Sequence, residues 1–248
     1  MRPFVVCLVI GAFAGSCGND VTEARLGGAV TIEPVDATID VDLKGALPVQ
    51  SYSAFATMHG ERTEITNRCN WSIADVSFGD FDAATFRAER VGGTTRVTAS
   101  CADVSASTSV TLRLTGSVVQ GMAPANVRVL FDNAVVAMDP ARTPAIEYPL
   151  DGAIAPSNIP AIDTQWSVAQ NDLFHVTFTS TYVAVDIFTT NADAMFDAGT
   201  WTLVTTLAKK DTIAIRVEGM KLAMPATKYV SKAANLSIAR DTIDDTAI

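Results

Sequence analysis

The residues able to do chemistry in this chain are few. They are cysteines at 7, 17, 69 and 101, histidines at 59 and 175, and closely spaced aspartates, Asp80 with Asp82 and Asp241 with Asp244 and Asp245. His59 precedes Gly60 in a predicted turn. His175 falls on the strand face opposite Phe174, Val176 and Phe178. Each reads as a solvated or hydrogen-bonded structural histidine, because no second histidine or clustered cysteine accompanies it. The aspartate groups carry the oxygen ligands that calcium prefers, but turn and surface carboxylates are their ordinary use, so no metal is assigned. No GxSxG, HExxH, phosphate-binding glycine loop or EF-hand pattern occurs, and the sequence assigns no catalytic residue and no cofactor. Two carboxylates for glycoside hydrolysis need only meet in space. Aromatic residues are just 7% of the chain, however, and Trp71 and Trp166 read as core markers. Tyr182, Phe188 and Trp201 are left as the only loose row that a glycan could stack on.

The cysteines say more. On a strand, side chains two apart share a face, so Cys69 and Trp71 point the same way, as do Val97, Ala99 and Cys101. Each cysteine therefore lies on an apolar face, and a disulfide Cys69–Cys101 joining two strands through a core beside the tryptophan fits the pattern. Closing a loop of about thirty residues, it would stabilise the fold by roughly 3 to 4 kcal/mol.

Such a bridge needs an oxidising compartment, and the N-terminus supplies a route to one. Arg2, the apolar run Phe4 to Phe13 and the small residues Ala14, Gly15 and Ser16 make a secretory signal too short to span a bilayer. Two processing sites compete. Ala12-Phe13-Ala14 fits release of a soluble protein, whereas Ala14-Gly15-Ser16-Cys17 resembles a bacterial lipobox, with Ala14 where leucine is common. Cysteine parity favours the second: acylating Cys17 leaves the even pair Cys69 and Cys101, while Cys7 is discarded with the signal. Gly18 to Gly28 then reads as a short tether. With a formal charge of −9, or −10 once Arg2 is lost, the chain repels phosphate backbones, and nucleic acid is excluded as a partner.

The elements that position these residues are strands. Hydrophobic residues are 48% and charged ones 18%, with valine, threonine and isoleucine conspicuous, and 248 residues suffice for two domains. Ile39, Val41 and Leu43 alternate with polar residues, and so do Tyr52, Ala54, Ala56 and Met58. Gly92-Gly93 marks a turn before Thr95 to Cys101 and Ser107 to Leu114. About seven short strands between residues 29 and 116 argue for a sandwich. The order YSAFATMHGERTEIT, NWSIAD, VGGTTRVTASC and STSVTLRL resembles the bacterial Ig-like (Big) domain. That resemblance implies an extracellular spacer or adhesive module and no enzyme. Cysteines at 69 and 101 depart from many members.

Residues 117–248 read as a second sandwich. Val127 to Phe131 and Val135 to Met138 are expected as strands of a hairpin around Asp132-Asn133. The prolines at 140, 144, 149, 156 and 160 mark an ordered loop packed along a domain edge. Thr164-Gln165-Trp166-Ser167-Val168 echoes Asn70-Trp71-Ser72-Ile73. Strands are expected around Phe174 to Phe178, Tyr182 to Thr189, Ile213 to Val217 and Asn235 to Ala239. Trp201, Val204 and Leu207 recur at helical spacing, predicting one short helix from Thr200 to Lys209, with Lys209 and Lys210 at its positive-favouring end. The run IEYPLDGAIAPSNIPAIDTQW resembles a β-sandwich segment of surface lipoproteins of myxobacteria and their relatives, often ahead of a β-propeller.

The sequence thus predicts an all-β protein: signal peptide 1–16, lipidated Cys17 and tether 17–28, an Ig-like sandwich 29–116, and a second sandwich 117–248 with one helix. Its expected place is the outer membrane, periplasm or cell surface of a Gram-negative bacterium, held to the membrane by the lipid. Its expected role is non-enzymatic adhesion, binding or spacing toward a protein or glycan ligand. Two alternatives stand beside it: a stalk for an activity beyond Ile248, and a carbohydrate-binding module.

Overall fold

The computed structural model describes residues 29–58, 60–208 and 211–239, which places Cys17, His59, Lys209, Lys210 and the Asp241–Asp245 group outside the described residues. Among the described residues the fold is all-β, with two short α-helices.

The N-terminal half contains β1 (Val30–Glu33), β2 (Ala37–Asp42), β3 (Val49–Ser51), β4 (Ser53–Met58), β5 (Glu61–Glu64), β6 (Cys69–Ile73), β7 (Gly79–Asp82), β8 (Thr85–Ala88), β9 (Gly93–Cys101) and β10 (Val104–Val119). Two small sheets, β1-β4-β5 and β3-β8-β7, face the strands β2, β10, β9 and β6 of a larger one. The predicted alternation places side chains as expected: Ile39, Val41, Tyr52, Ala54, Ala56, Val97, Ala99 and Cys101 all turn inward, forming a sandwich core completed by Val110 and Leu112 of β10.

The C-terminal half adds α1 (Val127–Asn133), β11 (Val135–Val136), β12 (Ile146–Tyr148), β13 (Ala153–Ala155), β14 (Thr164–Trp166), β15 (Leu173–Thr179), β16 (Val183–Thr189), β17 (Asp193–Ala194), α2 (Ala198–Ala208), β18 (Thr212–Met220), β19 (Thr227–Val230) and β20 (Ala234–Ile238). The large sheet continues here in the order β11-β19-β18-β15-β16-β10. Its inner face, carrying Phe174, Val176, Phe178, Val185 and Ile215, packs on Trp166, Phe196, Trp201 and Val204 from the small sheet β12-β14-β17, its flanking loops and α2. Asp197 opens α2 by accepting the Thr200 N–H and hydroxyl, the use Ser, Thr and Asp have at helix starts. The other face of the sheet is covered by α1 and the residue that follows it, through Val127, Phe131 and Ala134 on Leu173, Phe188 and Met220.

The helix α1 corrects the expected hairpin. Val127, Val129 and Phe131 alternate as a strand would, but Val129 is 55% exposed, while Val127 and Phe131, four apart, are buried together. Four-residue spacing puts both on one helical face toward the sheet, and that burial outweighs the β propensity of the two valines. β11 does form, but as the outermost strand, running parallel to β19.

One element joins the two halves. β10 is 16 residues long and pairs antiparallel with β9 from Val104 to Leu112, then parallel with β16 from Leu114 to Val119. Between Val110 and Thr115 it also pairs with β2. The β2 register overlaps both others, so β9 and β16 follow one another along the same edge of β10. The expected boundary between residues 116 and 117 lies inside this strand. Gly116, at φ 147°, marks the crossing point, where a Cβ would sit 3.2 Å from the Leu43 side chain.

Candidate functional site

The sequence-derived candidates occupy three separate places. Cys69 and Cys101 form a disulfide, as expected, but not through the core: they are directly opposed on neighbouring strands β6 and β9, with Cα atoms 4.1 Å apart. The close approach of opposed residues in an antiparallel pair makes that bridge possible within one sheet. Trp71, on the same face of the edge strand β6, is half-buried and packs against the first core. It stacks on Phe81 and meets Tyr52 at 5.9 Å, with Phe86 behind. Burial pushes the Tyr52 hydroxyl up to about 12. Trp166 lies in the second core as expected. Asp82 is engaged by Arg87 at 2.7 Å, and Asp80 lies opposite the same arginine in the ladder.

Tyr182, Phe188 and Trp201 do not form a row. Trp201 is buried in the second core, its indole N–H donating to the Ile159 carbonyl, whereas Phe188 is buried on the opposite face of the sheet under α1. Tyr182 packs at the edge of the second core.

Among the described residues, an assembly of five charged or chargeable side chains is centred on His175, on the α1 side of the sheet. Strand register explains it. His175 on β15 lies directly opposite Glu218 on β18 and Phe188 on β16, with Asp186 two residues from Phe188 on the same face. The ring accepts no freedom: Nδ1 is 2.9 Å from Glu218 Oε2 and Nε2 is 3.1 Å from Asp186 Oδ1. Arg128 of α1 donates to Asp186 at 2.8 Å, and Lys228 of β19 donates to Glu218 at 3.1 Å. Phe188 stacks on the imidazole at 4.5 Å between centroids, and the Arg128 guanidinium sits 5.1 Å over Phe188. The result is a chain of alternating charge, Arg128–Asp186–His175–Glu218–Lys228, that crosses four strands and ends on α1.

Both ring nitrogens face carboxylate oxygens, so only the imidazolium can donate to both. Burial of His175 pulls its pKa down, but hydrogen bonds to Asp186 and Glu218, with their charges, outweigh this and leave it raised above 6.5. Burial pushes Asp186 and Glu218 up, yet the bonds from His175, Arg128 and Lys228 leave both below their ordinary 3.8 and 4.5. With its nitrogens committed, His175 is a fastener of α1 to the sheet. No local sequence signal could have found it, since its partners lie 11 and 43 residues away.

The pH dependence has a definite sign. The His175 contribution is complete below 6.5 and lost as pH rises through the raised value. The carboxylate contributions are complete above 4.5 and lost as pH falls. On raising pH from about 6 to about 9, the urea midpoint should fall more for the native chain than for His175→Gln. Equal falls in both proteins would show that the ring is not charged at the lower pH.

No family model matches this chain, and no curated protein matches it in sequence. Among solved structures, it is similar to the N-terminal four Ig domains of Dscam1 isoform 6.9, at 9% identity over 86% of this chain and 46% of that one, with a TM-score of 0.25. Extracellular cadherin domains 1–4 of protocadherin gamma B7 match at 10% identity, over 86% and 51%, with a TM-score of 0.27. Titin-A168169 matches at 10%, over 85% and 99%, with 0.21. The chain spans about half the length of the Dscam1 and protocadherin structures, with 46% and 51% covered.

Proposed function

We propose that this chain is an exported, lipid-anchored, non-enzymatic protein of the bacterial cell envelope, acting as a stiff two-module spacer with a binding role. The observation that carries this reading is β10. A free linker between two sandwiches would let them swing. Here one strand is laddered to β9, β2 and β16 in turn, and Leu43 of the first half packs in the second core with Leu114. Bending at the junction would break backbone hydrogen bonds that have no other partner.

The Cys69–Cys101 disulfide supports export, because such bonds persist in oxidising compartments. No helix of the described residues is long and apolar enough to cross a membrane. Attachment in this reading falls to acyl chains on Cys17, each buried methylene contributing about 0.8 kcal/mol.

Two arms of one experiment test this. Spin labels placed at exposed positions Asp103 and Ala192, one in each half, should give a single narrow distance distribution. A broad one would mean a swinging pair and end the spacer reading. In the same preparations, Cys17→Ser should move the protein from the membrane to the soluble fraction; persistence in the membrane would remove the anchor.

A further inference from the structure

We infer that the C-terminal half carries an acceptor site for a short extended peptide, at a gap in the outer ladder beside β19 and β20. These two strands run one after the other along the same edge of β18. Their own outer edge is paired at both ends: β11 pairs with Thr227 and Lys228, and β13 pairs with Leu236, Ser237 and Ile238. Two further bonds extend these ladders, from the Ala137 N–H to the Lys228 carbonyl and from the Gly152 N–H to the Asn235 carbonyl. Between them, residues 229–234 have no ladder partner on the outer side among the described residues. Backbone groups alternate in direction along a strand, so Val230 presents its N–H and carbonyl to the same side as Lys228. Ser231 confirms the alternation by donating inward to the Val217 carbonyl.

The gap opens into a groove of about 850 Å³. Its lining is mostly apolar, including Val136, Met138, Pro144, Ile146, Val230 and Ala234. Met138 is 99% exposed, and Val136, on the terminal strand, is also exposed. Exposed apolar side chains such as Val136 and Met138 beside unpaired strand edge are a cost that native proteins ordinarily avoid by covering or charging the edge.

The chemistry selects the occupant. Unpaired backbone donors and acceptors call for another backbone, which a lipid chain does not offer. Six residues at roughly 3.3 Å each span about 20 Å, the length of an extended hexapeptide. The polar rim is Asp139 and Asp151 against Lys232, within a chain of net charge −9, which favours a basic group on the peptide. The occupant is therefore an extended apolar segment of a partner polypeptide with a lysine or arginine beside it.

This deepens the binding half of the proposed function, and its test leaves the spacer untouched. A fluorescein-labelled hexapeptide, KVTVTV, should bind the full chain saturably by anisotropy. The same peptide N-methylated at alternate residues keeps the side chains and loses donors, and should bind at least about tenfold more weakly. Ala145→Trp, which fills the groove from an exposed position, should weaken binding by a similar factor. Absent saturation, equal binding of the two peptides, displacement of the peptide by laurate, or dimerisation that Ala145→Trp abolishes would each overturn the peptide site. None of these outcomes alters the spin-label distance, so the two readings fail separately.

Discussion

Replacing Cys69 and Cys101 together by alanine should cost about 3 to 4 kcal/mol of stability, read as a lowered urea midpoint with a steeper slope, because the unfolded chain expands once the bridge is gone. The estimate follows from the sequence separation of 32, which sets the entropy the bridge removes from the unfolded chain. β6 is an edge strand, held on one side only, by β9. Without the bridge, β6 depends on five ladder residues and on Trp71 packing among Tyr52, Phe81 and Phe86. Hydrogen exchange should therefore rise first in β6, before β9 and β10. Amides that exchange through global unfolding should accelerate together by the same free energy, and an unchanged midpoint would remove the bridge's structural role.

Much of this architecture was legible because burial writes itself into a period of two. Ile39 and Val41, Tyr52 and Ala54, and Phe174, Val176 and Phe178 all alternate in sequence and all turn inward. The helix near Trp201 was readable for the same reason at its own period, and it forms at Ala198–Ala208. The region Val127–Asn133 was not, since Val127, Val129 and Phe131 alternate over only five residues, a run short enough to satisfy both periods, and only its place over the sheet decides. The strand expected from Ser107 to Leu114 runs on in the structure through Gly116 to Val119. In the structure that glycine lets the strand pass Leu43 and continue. The His175 ladder and the groove were invisible for another reason. Both are made by strands distant in sequence, one by register across β15, β16, β18 and β19, the other by an interruption between β11 and β13.

Leu114→Ala should destabilise the protein by about 3 kcal/mol, within the range for a fully buried leucine, and should do so in both halves at once. Leu114 is where the ladder passes from β9 to β16: its N–H donates to the Tyr182 carbonyl, while it pairs with Val41 on the other edge. Its side chain lies in the second core beside Leu43, which arrives from the first half. A cavity there loosens packing on the C-terminal side, and through Leu43 and the β2 ladder it loosens the N-terminal side too. Val97→Ala provides the contrast, since Val97 is buried in the first core on β9, far along the sheet from the crossing. Its effect on hydrogen exchange should fade before β15 and β18, whereas that of Leu114→Ala should reach β4 and β18 alike. The spin-label distance should broaden in Leu114→Ala and stay narrow in Val97→Ala, because only the first weakens the crossing. If Leu114→Ala accelerates exchange only in the C-terminal half, then β10 joins two cooperative units without coupling them, and stiffness at the junction must come from the backbone ladder alone.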